Sequence, residues 1–117
     1  MGNLLYLGFT NGSSRHTRNL AFDAWVIYYP SDHLLVSRGI CIGPTSNNMV
    51  ECSGIINLLF EAISYSIESL VMYLDSQLVV SQLNNVYPMR DPLLHCQFLR
   101  VRLLQRSINF ITFIHIT

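Results

Sequence analysis

The chain has 117 residues, a formal net charge of zero and no lysine, with seven arginines set against seven acids. Hydrophobic residues make up 50% of it, which excludes a largely disordered chain, and no apolar run reaches the roughly 18 residues that a membrane helix needs. A dedicated nucleic-acid binder normally carries a clear positive excess, so any such contact here has to come from a local patch or from geometry.

The length suits a single domain over residues 1–117 with one modest core. The start, MGNLLYLGFTNGSS, lacks a basic n-region, and Tyr6 stands where a lipidation pattern wants Ser or Thr. Cys41, Cys52 and Cys96 are odd in number and widely spaced. They read as reduced, mostly buried thiols of an intracellular protein, cytoplasmic or nuclear, and no two form a close metal-ligand pair.

Leu4 to Phe9 is nearly all apolar and reads as a strand, with NGSSRHTRN as a turn after it. Leu20 to Tyr29 is aromatic and β-branched, PSDH makes a tight turn, and Leu34 to Ile42 returns as a third strand. GPTSNN breaks the pattern. A helical period follows through Val50, Ile55, Leu58, Leu59, Ala62 and Ile63, with Ser46 or Asn47 as N-cap and an end near Tyr65 or Ser66. Leu70 to Leu74 is a continuous apolar run closed by Asp75, as in a strand covered on both faces. SQLVVSQL reads as a short helix, NNVYPMRDP as a loop, Pro92 to Gln105 as a helix with proline in its first turn, and Phe110 to Ile116 as a last strand. The order βββαβααβ predicts an α/β fold, a mixed sheet with helices against it.

Three polar positions stand out. Asn11 closes the first run, Glu51 lies early in the long helix, and Asp75 ends the central strand. In open α/β sheets, sites form at the carboxyl ends of strands. Two acids and an amide converging there would offer hard oxygen ligands to Mg²⁺ or Mn²⁺. Two such ions about 4 Å apart activate a water and stabilise a leaving oxygen in phosphodiester cleavage. The plainer alternatives are that Glu51 is a solvated first-turn acid and that Asp75 caps the helix after it.

FTNGSS, the stretch from AWVIYY through TSNNMVECSGIINLLFEAI, and LVMYLDSQLVVSQLNNVY together resemble the RNase H family, in its reverse-transcriptase-associated form from plant retroelements. The resemblance runs from about Leu5 to His115. It implies a five-stranded mixed sheet with helices on both faces, and cleavage of the RNA strand of an RNA–DNA hybrid with two Mg²⁺ or Mn²⁺ ions. It assigns Asn11 to the place of a metal-bridging Asp, in a family motif read here as Asn11-Gly12-Ser13. Glu51 and Asp75 match the second and third acidic ligands. Ser46, Asn47, Asn48, Gly12, Ser13 and Gln77 would face the nucleic acid. The family's fourth acid lies in a helix after the last strand, where this sequence has His115, Ile116 and Thr117. With two carboxylates and a neutral amide, the expectation is impaired two-metal hydrolysis. Retained hydrolysis, or a protein-interaction module keeping only the fold, are the alternatives.

Arg90, Arg100, Arg102 and Arg106 can meet phosphates or simply line a wet helix face, and so can Arg15, His16 and Arg18 in the first turn. Trp25, Tyr28 and Tyr29 read as packing rather than base stacking. His16, His33, His95 and His115 form no metal-spaced cluster, and no catalytic triad is arguable from spacing. Ile108, Phe110, Ile111, Phe113 and Ile114 offer apolar side chains to both faces of the last strand. That predicts a homodimer or higher oligomer burying roughly 1,200–2,000 Å², unless the helix from Pro92 to Gln105 covers the second face.

Overall fold

The computed structural model describes residues 4–15, 20–43, 45–84 and 91–116, without the side chains of residues 12–15 and 47. Its elements run β1 (Leu5–Arg15), β2 (Leu20–Tyr28), β3 (Leu34–Ile42), α1 (Asn47–Ser64), β4 (Ser69–Leu74), α2 (Gln77–Leu83), α3 (Pro92–Gln105) and β5 (Phe110–His115). This is the expected order. The five strands lie side by side as β3-β2-β1-β4-β5. The first three form an antiparallel meander. β4 joins β1 in parallel and β5 joins β4 in parallel, each after a helical crossover.

One boundary differs in a way that matters. β1 does not turn after Phe9 but continues to Arg15, because Asn11 to Arg15 pair with Ala24 to Leu20 of β2. A ladder partner satisfies the backbone groups that a glycine- and serine-rich stretch would otherwise turn to water. Asn11 is therefore mid-strand rather than at a strand end. The parallel pairing with β4 does stop nearby, its last pair being Phe9 with Tyr73.

The alternation of side chains sorts the sheet into two unlike faces. On one, Ala21, Trp25 and Ile27 of β2, Leu70, Met72 and Leu74 of β4 and Phe113 of β5 are buried. They pack with Ile55, Leu58 and Leu59 of α1, Val79 and Leu83 of α2, and Phe98 and Val101 of α3 in one core. Trp25 is thus a packing residue, as expected. The other face carries Leu7, Phe9, Val26, Tyr28, Val71 and Tyr73, all only half-buried, beside the exposed Phe22, Phe110 and Ile114. Among the described residues the helices cover one face of the sheet only. α3 does not cross over to fill the gap. It packs against α1 through Leu94, Phe98 and Val101. On the open face Phe9 stacks on Tyr73 at 4.9 Å and meets Tyr28 edge-on at 5.8 Å.

Three short polar signals set the helix starts. Ser46 accepts from the Met49 amide, Ser76 from that of Val79, and Asp91 from Leu93 and Leu94, with Pro92 next in line.

Candidate functional site

The site lies at the pole of the sheet where β4 stops and β1 runs on. Asp75 follows the last residue of β4 and is exposed. It does not cap α2, since Ser76 does so with its own hydroxyl. Asn11, also exposed, shares with Asp75 a shallow cleft of about 240 Å³ that Phe9, Ala24, Val26 and Ser37 help to line. His115, at the end of β5, holds the main chain here with its Nε2 3.0 Å from the Asp75 carbonyl oxygen. The N-terminus of α1 is tied to the same point, because Asn48 Oδ1 accepts from the Ser76 hydroxyl at 3.4 Å.

Glu51 sits in the second turn of α1 and points into the protein. Its residue is only 3% exposed, so it is no solvated first-turn acid. The Thr10 hydroxyl donates to its Oε1 at 2.6 Å. Burial pushes the Glu51 carboxyl above its ordinary proton affinity, and the nearby charges of Asp75 and Asp23 push the same way. The Thr10 hydroxyl and the Asp75 amide oppose them.

Asp23 is the residue that sequence reasoning overlooked. It lies in β2, is 2% exposed, and neither carboxylate oxygen has a hydrogen-bond partner of normal geometry. Burial lifts its pKa from 3.8 to about 6, although the Ser53 and Asn57 side chains and the Ala24 amide lie close enough to moderate the rise. The carboxylate presses on Gly54 of α1. A Cβ there would stand 2.5 Å from Asp23 Oδ1 and 3.4 Å from Thr10 Cβ. Only a glycine lets strand and helix approach this closely. The signal was in the sequence, since one acid interrupts the run LAFDAWVIYY.

Comparison with known proteins places this arrangement. The family model described as reverse transcriptase-like matches residues 9–117. The chain belongs to that family. The solved structure of RNase H1 from the halophilic archaeon Halobacterium salinarum is similar at 26% identity and a TM-score of 0.89, over 96% of this chain and 85% of that one. The N-terminal RNase H domain of a Mycobacterium tuberculosis protein reaches a TM-score of 0.91 at 22% identity, over 97% and 82%. LC11-RNase H1, solved in complex with an RNA/DNA hybrid, reaches 0.86 at 24%, over 95% and 84%. No curated protein sequence matches the chain at a significant level. The fold is that of RNase H.

Within this RNase H-like fold, Glu51 and Asp75 come together, and Asn11 shares the cleft with Asp75. Ser46 is exposed and occupied as the cap of α1, and Asn48 is half-buried against Ser76. Gln77 is exposed and its amide donates along α2 to Ser81 at 3.1 Å. The side chains of Ser13, Arg15 and Asn47, the surroundings of Gly12, and all of His16, Arg18 and Arg90 lie outside what is described. No three acids, histidines or cysteines among the described residues are placed to hold one ion together. Glu51 and Asp75 offer oxygen donors of the kind that one hard divalent cation takes, with Glu51 buried and with Arg38, engaged by Glu61, lining the cleft beside Asp75. They do not fit a pair held by several carboxylates. No helix among the described residues is long and apolar enough to cross a membrane.

Proposed function

We propose that this RNase H-like domain binds an RNA–DNA hybrid at the pole formed by Asn11, Glu51 and Asp75, and that it is impaired in hydrolysis. The convergence of Glu51 from α1 with Asp75, just past the end of β4, carries the reading. Ser46, Asn47, Asn48, Gly12, Ser13 and Gln77 would meet the hybrid around that pole, where polar donors suit a sugar–phosphate backbone. Glu51 and Asp75 would hold a weakly bound Mg²⁺ or Mn²⁺, which when present supplies charge neutralisation for a phosphate. An amide at Asn11 contributes no charge to a second ion, and nucleophile activation in two-ion hydrolysis depends on both. A retroelement RNase H is the origin we infer, from the reverse transcriptase-like family match. The test is titration of a short hybrid in Mg²⁺ against the Asn47→Ala, Asn48→Ala double variant. Weaker binding by the variant is expected, and equal binding would contradict the reading.

A second reading has its own observation. Leu5, Phe22, Phe110 and Ile114 are 46%, 41%, 63% and 39% exposed on the uncovered sheet face. We propose that a second copy of the chain covers that face, since broad exposed apolar surface marks an interface.

A further inference from the structure

Asn11 leaves the pole one negative charge short of an aspartate, while one strand away Asp23 brings a charge that nothing in the described structure neutralises. The two belong to neighbouring positions of the β1–β2 ladder, where Asn11 pairs with Ala24 and Gly12 with Asp23. They face opposite ways. Asn11 looks onto the open face, and Asp23 looks inward at α1. Asp23 and Thr10 meet over Gly54, and Thr10 holds Glu51 by its Oε1. Asp23, Thr10 and Glu51 therefore form a continuous inner layer beneath Asp75. No arginine or histidine among the described residues is bonded to any of the three carboxylates. Arg38 lines the same cleft as Asn11 and Asp75, and its charge is engaged by Glu61.

We propose that Asp23 supplies the charge that Asn11 lacks, acting as a positioning residue that strengthens cation binding at Glu51 and Asp75 without itself touching the ion. This rests on the cation-holding reading of the pole. An orphaned carboxylate at 2% exposure needs an explanation, because a buried acid without a partner is costly. A divalent cation held nearby supplies one. The attraction reaches it through low-dielectric protein rather than through water, so it is screened little by salt.

The experiment is a Mn²⁺ titration of the intact chain at about pH 8, read by the electron paramagnetic resonance of free Mn²⁺, with a metal-free thermal melt of each variant. Asp23→Asn is expected to weaken Mn²⁺ affinity roughly three- to tenfold, to a similar degree at low and at high salt. It is also expected to melt at a higher temperature than the parent. Loss of affinity with a gain in stability is a pairing that a merely structural role would not produce. Asn11→Asp, added to Asp23→Asn, should restore affinity to the parent's level or above. A parent that binds Mn²⁺ while Asp23→Asn binds equally well overturns the inference and leaves the pole standing. An Asp23→Asn chain that melts below the parent also overturns it. A parent that binds no Mn²⁺ overturns both.

Discussion

Replacing Asp23 by asparagine isolates the burial of one acid. Its pKa rises from 3.8 to about 6 on folding, and about 1.4 kcal/mol attaches to each pKa unit. The penalty for keeping it ionised in the fold is therefore about 3 kcal/mol. The sign follows from proton counts. Between pH 3.8 and about 6 the folded chain holds more protons at this site than the unfolded chain does. Stability from this group is thus unimpaired below pH 3.8, falls as pH rises through that window, and stays low above it. Asparagine has no such slope but must still satisfy its amide, with Ser53 and Asn57 nearby. A net gain of about 1–3 kcal/mol at pH 8 is expected, shrinking towards zero at pH 4. Glu51, whose pKa is also raised, keeps a slope of the same sign in both chains. Urea denaturation of parent and variant at the two pH values measures the difference. A variant no more stable than the parent at pH 8, or equally stabilised at both, would refute the argument.

Gly54→Ala should destabilise by about 1–3 kcal/mol, because its Cβ would stand 2.5 Å from Asp23 Oδ1. Adding Asp23→Ala should recover most of that loss in the same urea assay. Thr10→Val removes the donor to buried Glu51 and should cost about 1–3 kcal/mol near neutral pH. Sedimentation equilibrium over a hundredfold dilution should find dimer in the parent and monomer in Ile114→Arg, with a strictly monomeric parent arguing against sheet-face association.

Elements bounded by strong punctuation were legible. β3 lies between PSDH and Gly43, α3 starts at Asp91-Pro92, and both span the residues expected. β1 was not, because Gly12, Ser13 and Ser14 have turn chemistry that cross-strand pairing overrides. The three positions of the candidate site could be named from the sequence, but spacing alone left Glu51 as a solvated first-turn acid and Asp75 as a helix cap equally open, and it was the family resemblance that grouped them. Whether Glu51 was wet or buried depended on Thr10, forty-one residues away in sequence, and no local pattern carries such a contact. Asp23 was visible as an acid within an apolar run, but its significance comes from the approach of Gly54, which only the packed fold sets. The open sheet face was foreshadowed by the apolar side chains on both sides of β5. That α3 would pack on α1 instead could not be read from its own sequence, since Leu93, Leu99 and Leu103 leave it apolar on its outer side too.

On the proposed reading the pole binds hybrid while hydrolysing it poorly. One experiment addresses both halves: a labelled RNA–DNA hybrid incubated with the parent and with Asn11→Asp in Mn²⁺, with retention and product read from the same samples. Saturable hybrid retention by both chains is expected, with cleavage near background for the parent. Rapid cleavage by the parent, or no retention of hybrid at all, would contradict that reading.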